Sequence, residues 1–247
     1  MARKKEIPRI TGTLRAKAMH LPECIHDAKG MVVLGRRIKT VIYSTDIAVI
    51  RNCDADAVLA VYPYTPQQVI SQAIISASSI PVFVGVGGGL TNGFRSALIS
   101  QDAEAQGAYA VVVNEPMSVS NIHLIHRVID IPIIGTVVDY DRDEIQSRLD
   151  AGVKILNVSA AKETAEVVSK IRRHFKNVAI MATGGPTEET IAQTIKAGAN
   201  SIVYTPPSIA KIFSEIMADY RLHDDVVDSP ESAENEKGDI RDMLRMV

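Results

Sequence analysis

The sequence predicts an α/β fold, a single (β/α)8 TIM barrel, on two observations. The first is its length of 247 residues, close to the roughly 250 typical of one closed eight-stranded α/β barrel. The second is an internal repeat, in which two kinds of apolar, β-branched run alternate along the chain. Runs of one kind follow a small turn. Gln106-Gly107-Ala108 precedes Tyr109 to Val113, Ala151-Gly152-Val153 precedes Lys154 to Val158, and Ala197-Gly198-Ala199 precedes Asn200 to Tyr204. An earlier variant is Asp54-Ala55-Asp56-Ala57 before Val58 to Tyr62. Runs of the other kind are Lys39 to Ser44, Ile80 to Gly85, Ile131 to Thr136 and Asn177 to Ala182. The pair recurs about every 45–50 residues, the range of repeat-built folds.

Each element has a local reason. The glycine before a run of the first kind ends a helix in the left-handed region, and the run after it reads as a buried strand. Helical spacing fills the gaps between runs. Val69, Ile70, Ala73 and Ile74 share one face, as do Ile191 and Ile195 behind Thr187-Glu188-Glu189, and Ile209, Ile212, Phe213 and Ile216 behind Ser208. Strands apolar on both faces, alternating with helices, imply an all-parallel sheet covered by helices. An open doubly wound sheet is the alternative, and its first turn would carry a glycine fingerprint. That turn is Ser44-Thr45-Asp46-Ile47, without glycine.

The flanks read as additions to a barrel over residues 39–221. Residues 1–38 form a basic N-terminal extension whose Met31 to Leu34 run is a ninth strand with no helix after it, placed as a cap on the N-terminal face. Residues 222–247 form an acidic tail, solvated over Asp228 to Glu236. Its last segment, Met243 to Val247, is a short helix or a frayed end.

Composition excludes several partners. The chain is 46% hydrophobic and 23% charged, with a formal net charge of −2 and a pI of about 6.3. That is not the electrostatic footprint of a nucleic-acid binder. No apolar run reaches the ~18 residues of a membrane span, so no membrane partner is expected. The polar start Met1 to Glu6 carries no secretory leader. Cys24 and Cys53 form no CxxC pair and read as reduced thiols, the usage of a cytoplasmic protein.

Barrel active sites lie at the C-terminal strand ends, so the strand ends supply the candidates. Thr183-Gly184-Gly185 follows the seventh strand. Glycines there let backbone N–H groups approach an anion, and Ser208 adds a hydroxyl at the last helix, together a phosphate cradle. The loop is also readable as a tight turn without ligand, and Pro206-Pro207 removes two donors from the cradle. Gly85 to Gly89 after the third strand lacks nucleotide spacing. It reads as a flexible active-site loop offering Gly87 and Gly88 to substrate, or as a sharp turn. Asn114, Asn157 and Tyr204 are further substrate-binding candidates.

Asp46, Glu115 and Asp139 end strands and are the acid–base candidates. Asp46 is equally an N-cap for the helix beginning at Ile47. Asp139 is preferred, because Asp141 or Asp143 can cap the next helix in its place. The three carboxylates also offer hard oxygens to Mg²⁺, though no motif requires a metal or any other cofactor. No lysine ends a strand, which disfavours Schiff-base chemistry. The six histidines lie away from strand ends, and no GxSxG elbow is present.

Thr183-Gly184-Gly185 before Pro186-Thr187-Glu188-Glu189, with the later Gly198-Ala199 turn, resembles the phosphate-binding barrels. These include keto-deoxy-phosphogluconate aldolase, indole-glycerol-phosphate synthase and thiamine-phosphate synthase. The resemblance covers the last quarter of the chain and implies a phosphorylated ligand. It does not imply aldolase activity: Asn157 stands where the aldolase places its lysine, and no glycine-serine pair follows the eighth strand. Across nearly the whole chain, Arg36-Arg37-Ile38-Lys39, Tyr43-Ser44-Thr45-Asp46, Ala60-Val61-Tyr62-Pro63 and Gly85-Val86-Gly87-Gly88-Gly89 resemble an uncharacterised bacterial barrel family whose members are sometimes labelled hydrolase.

The sequence is therefore read as an enzyme of a small phosphorylated metabolite, of lyase or isomerase type through carboxylate acid–base chemistry. A metal-assisted hydrolase and a non-catalytic metabolite-binding barrel are the alternatives. A homodimer is expected through the apolar C-terminal segment. Replacing Gly184 with a bulky residue is expected to weaken binding of a phosphorylated sugar and to leave the fold intact, as thermal melts with and without ligand would read.

Overall fold

The structure, a computed structural model, describes Ile10 and residues 18–227. The Asp228 to Glu236 stretch and the Met243 to Val247 segment lie outside the described residues, as does most of the basic start. The chain divides into two units after Pro206.

In the first unit eight parallel strands close into a barrel. They are β3 (Thr40–Tyr43), β4 (Ala57–Ala60), β5 (Val82–Gly87), β6 (Ala110–Val113), β7 (Ile133–Val137), β8 (Val153–Val158), β9 (Ala179–Thr183) and β10 (Ser201–Tyr204). They pair in sequence order and β10 closes on β3. An antiparallel hairpin, β1 (Met31–Val33) and β2 (Arg36–Ile38), precedes them. The interposed helices are α1 (Ile47–Arg51), α2 (Gln68–Ala77), α3 (Gly93–Ala105), α4 (Val119–His126), α5 (Arg142–Asp150), α6 (Thr164–His174) and α7 (Glu188–Ala197). This is the (β/α)8 barrel that the repeat predicts, with α8 (Ile209–Val227) following β10 in the second unit.

The barrel is filled rather than hollow. Val41, Leu59, Phe83, Val112, Ile134, Ile155, Met181 and Val203, one from each strand, belong to one buried cluster. Ala57 and Ala110 join them nearer the strand starts. So do Met31, Val33 and Ile38 of the hairpin, whose inner face covers that end of the barrel. The hairpin turns through Leu34 and Gly35, with φ of 46° and 81°, the doubly positive geometry of tight two-residue turns.

Several backbone amides at this covered end are met by side-chain acceptors, although Ser201 Oγ and Gln106 Oε1 are buried there without a partner among the described residues. The Asp56 carboxylate accepts from the amides of Lys39 (2.8 Å) and Thr40 (3.0 Å). Glu104 accepts from those of Asp130 and Ile131 (2.7 and 2.9 Å), and Asn200 Oδ1 from Ile180 (3.0 Å). These acceptors satisfy amides that precede or begin strands. Gly198 ends α7 with φ of +115°, the left-handed exit read from the repeat. The half-buried Arg172 guanidinium lies against it, donating to the carbonyls of Gly198, Phe175, Lys176 and Val178 and to Asn200 Oδ1.

The second unit is described by its helix. Ser208 Oγ accepts from the amide of Lys211 (3.3 Å) in the first turn of α8. No helix among the described residues is long and apolar enough to cross a membrane.

Arg172→Met removes the donors that those carbonyls share. Unfolding in urea should show a loss of about 2–4 kcal/mol, since orphaned buried acceptors cost roughly 1–3 kcal/mol each and some regain water.

Candidate functional site

A strand turns every second side chain to the same face. Two residues beyond the cluster positions therefore lie the next inward positions: Tyr43, Val61, Gly85, Asn114, Thr136, Asn157, Thr183 and Thr205. All but Gly85 line one cavity of about 280 Å³ at the C-terminal mouth, with Leu59, Val112 and Val203 as its floor and Ser159 at its edge. The layer changes abruptly from aliphatic to amide and hydroxyl. Its best-buried polar member is Asn157, 6% exposed. Asn157 Nδ2 donates a long hydrogen bond to Thr136 Oγ1 (3.4 Å), while its buried Oδ1 has no partner among the described residues. Ser96 Oγ, Gln106 Oε1 and Ser201 Oγ are also buried without a partner among the described residues, and of these four residues Asn157 is the one that lines the mouth.

A second cavity of about 390 Å³ shares Val61 and Asn114 with the first. It runs between the loop after β4 (Tyr62 to Pro66) and the loop after β5, where Gly85, Gly87, Gly88, Leu90 and Thr91 line it. The Tyr62 hydroxyl accepts from the amide of Gln67 (2.8 Å), which fixes its ring as a wall. The glycine loop is cornered rather than flexible. Gly88 has φ of +135°, and a Cβ there would come within 2.6 Å of Asn114 Cβ. The Gly88 amide donates to the Thr91 carbonyl (2.9 Å) and the Asn114 amide to the Gly87 carbonyl (2.9 Å). The glycines thus admit Asn114 to the wall it shares with both cavities.

The three carboxylates sit elsewhere. Asp46 is the N-cap of α1, accepting from the amides of Ala48 (2.8 Å) and Val49 (3.2 Å). Glu115 and Asp139 border a narrow crevice with Asp141, Glu144 and Arg148. Neither lines the mouth, because each stands an odd number of residues beyond an inward position. Asp141 caps α5, accepting from the amides of Asp143 (2.9 Å) and Glu144 (3.0 Å), which leaves Asp139 exposed and free of capping. Arg148 is 3% exposed. It bonds Glu144 Oε1 (3.0 Å), the Thr136 carbonyl (3.3 Å) and the Glu115 carbonyl. From behind the wall it braces the strand ends that carry Asn114 and Thr136.

Of the phosphate-cradle candidates, Thr183 lines the mouth. Gly184 is a packing glycine: a Cβ would meet Ile202 at 2.7 Å and Ile191 at 2.8 Å. Its amide donates to the Val203 carbonyl (3.4 Å). The N-terminus of α7 is closed by its own residues. Thr187 and Thr190 form a capping box, and Glu188 and Glu189 occupy the first turn. Hydrogen bonds from its own backbone N–H and from the Thr187 hydroxyl hold the Glu189 carboxyl below its ordinary range. Ser208 belongs to the second unit, where it caps α8.

The structure thus gathers Gly87, Gly88, Asn114, Asn157 and Thr183 around two adjoining cavities. It does not bring Asp46, Glu115, Asp139, Gly184, Gly185 or Tyr204 to their walls. Tyr204 falls between Val203 and Thr205, both of which line the mouth, and the pleat sends it the other way. Tyr43, Thr136, Ser159 and Thr205 are lining residues that a reading of strand ends without parity passes over. Stepping by two from the aliphatic layer finds three of them and Asn157. Arg148 shares the buried face of α5 with Ile145, three residues before it, and that spacing is its signal.

No family model matches the chain, and no curated protein does. Solved structures do resemble it. Phosphonopyruvate hydrolase in complex with oxalate and Mg++ superposes with a TM-score of 0.55 at 15% identity, over 84% of this chain and 93% of that one. Phosphoenolpyruvate phosphomutase from Streptomyces platensis subsp. rosaceus gives 0.58 at 15%, over 90% and 95%. Oxaloacetate acetylhydrolase gives 0.60 at 10%, over 85% and 88%. The likeness is one of fold, the barrel itself. The similarity of the last quarter to phosphate-binding barrels stays a resemblance of sequence.

The expectation that Gly184 tolerates a bulky residue is overturned by its contacts. Gly184→Val should destabilise the protein by about 1–3 kcal/mol through overpacking, seen as a lower thermal midpoint without any ligand.

Proposed function

We propose that this protein is an enzyme of a small polar metabolite, which it binds in the barrel mouth and orients with neutral amide and hydroxyl groups. The observation that carries this reading is the buried, unpaired Oδ1 of Asn157 in the cavity wall. An acceptor buried without a partner in the chain is costly to the free protein, and a ligand N–H or O–H that reaches it repays that cost. The fold neighbours bear the names of enzymes of phosphonopyruvate, phosphoenolpyruvate and oxaloacetate, which supports an enzymatic reading of lyase, isomerase or hydrolase type.

The chemistry follows from the lining. The amides of Asn114 and Asn157 and the hydroxyls of Thr136, Thr183 and Thr205 are donors held on the strands or on the first residue after them. Fixed neutral donors stabilise an oxygen that gains negative charge in a transition state. Tyr43 brings a phenolic O–H to the lining, and in this reading it is the proton donor. Asp139 and Glu115 remain acid–base candidates only from the rim.

Mg²⁺ accompanies one neighbour. It prefers carboxylate oxygens. Among the described residues no group of three or more His, Cys, Asp or Glu is arranged to hold a metal. The lining does not fit that ion, and no step is drawn through it.

The test is a conversion screen by proton NMR over small oxo acids, hydroxy acids, sugars and their phosphate esters, with and without Mg²⁺. Turnover of one member should fall by a factor of order 10² to 10⁴ in Tyr43→Phe, the usual worth of a proton-transfer group, and stay within about threefold in Asp139→Asn and Glu115→Gln. Losses in the carboxylate variants instead would move proton transfer to the rim. Binding without conversion would leave a metabolite-binding barrel. Asn157→Leu should abolish binding while keeping or raising the thermal midpoint of the free protein, because it removes an unpaired polar atom. A drop in that midpoint would make Asn157 structural.

A further inference from the structure

The two adjoining cavities have a property in common. Among the described residues that line them there is no Asp, Glu, Lys, Arg or His. The mouth offers amides and hydroxyls, whereas the cleft offers flat and apolar surface: the anchored Tyr62 ring, Pro63, the exposed Tyr64 and Leu90, over a floor of Gly85, Gly87 and Gly88. Asn114 stands between them and lines both.

Given that the mouth is the ligand site, we infer that its ligand is uncharged and has two parts, a hydrogen-bonding head and a planar or apolar tail. The head sits among Asn157, Thr136 and Thr183, and the tail lies in the cleft against Tyr62 and Tyr64. The charge argument has two halves. Moving a phosphate dianion out of water is costly unless it is paired or richly hydrogen-bonded. The nearest structural feature of phosphate-binding type, the turn into α7, is already engaged. The Gly184 amide is bonded to Val203, and Thr187, Glu188 and Glu189 fill the helix N-terminus with the chain's own acceptors and negative charge. Neutral hydroxyl, carbonyl or amide groups, by contrast, match the lining group for group. Asn157 Oδ1 specifically demands a donor, which a fully ionised head lacks.

The size argument concerns the tail. A three- or four-carbon acid fills only part of the mouth's 280 Å³, and the adjoining 390 Å³ would stay wet. A fixed aromatic wall over a floor without side chains accommodates the face of a ring. The floor cannot be altered cheaply, since a Cβ on Gly88 would displace Asn114 and one on Gly87 would come within 2.4 Å of the Thr91 carbonyl. Head and tail sites are therefore coupled through Asn114.

Matched probes decide it. The full-length protein, ¹⁵N-labelled, is titrated with ribose and ribose 5-phosphate, and with adenosine and adenosine 5′-monophosphate. The side-chain amide resonances of Asn114 and Asn157 are followed, assigned by their loss in Asn114→Ser and Asn157→Leu. Adenosine should shift both, bind about tenfold more tightly than ribose through ring contact, and bind more tightly than its monophosphate. Tyr64→Ala, a change at an exposed side chain, should erase most of the advantage of adenosine over ribose. A phosphate ester that binds more tightly than its neutral partner, through the same resonances, overturns the uncharged ligand and leaves the mouth as the binding site. Adenosine no tighter than ribose overturns the tail. No shift at either asparagine with any probe overturns both this inference and the reading of the mouth on which it rests.

Discussion

Closure of eight parallel strands into a ring fixes the direction of every strand side chain, and the rest of the molecule depends on that constraint. In an open sheet both faces can be covered in several ways. In a closed one the inward set must fill a cylinder of limited width, in layers, with no freedom to slip by one residue without turning the layer inside out. The cluster from Val41 to Val203 is the layer that satisfies this packing. The layer above it is inward for the same geometric reason, but is made of Asn, Thr and Tyr. The site is thus the next turn of the packing pattern, with its chemistry changed.

The two ends of the barrel use polar groups in opposite ways. At the covered end Asp56, Glu104 and Asn200 accept from backbone amides, and Arg172 gathers carbonyls, so the charged side chains there serve the backbone. At the mouth the polar side chains are neutral, loosely paired, and in one case buried without a partner. Such a group lowers the stability of the free protein. Three of the ionised residues near the mouth serve architecture. Asp46 and Asp141 cap helices, and Arg148 ties the ends of β6 and β7 together from outside. A rigid rim built this way holds the inward donors in place without reorganisation, the condition under which neutral dipoles act strongly on a bound ligand.

How much of this was legible varies with the range of the interaction. The eight strands and the left-handed glycines between helix and strand are written in local pattern, and the fold follows that pattern closely. Asn114, Asn157 and Thr183 were also within reach, as polar residues at strand ends. The carboxylates were misleading because a strand end says only that a residue is near the mouth, and parity decides whether it faces in. Counting by two from Leu59, Val112, Ile134 or Met181 would have excluded Glu115 and found Thr136. Gly184 and Gly88 read as backbone freedom at a loop, whereas the neighbours that require them, Ile191 with Ile202 and Asn114, lie on other elements.

The sequence by itself determined the architecture, since alternation of apolar β runs with helical spacing has one economical solution at this length. It also determined the caps, because an N-cap acts on amides two or three residues away. Only the tertiary structure decided that the mouth is neutral, that Asn157 Oδ1 has no partner, and that a second cavity joins the first at Asn114. Those facts depend on which side chains from eight separate strands meet across the barrel axis. No local pattern encodes that meeting, because it is fixed by closure and shear of the whole sheet rather than by any one run of residues.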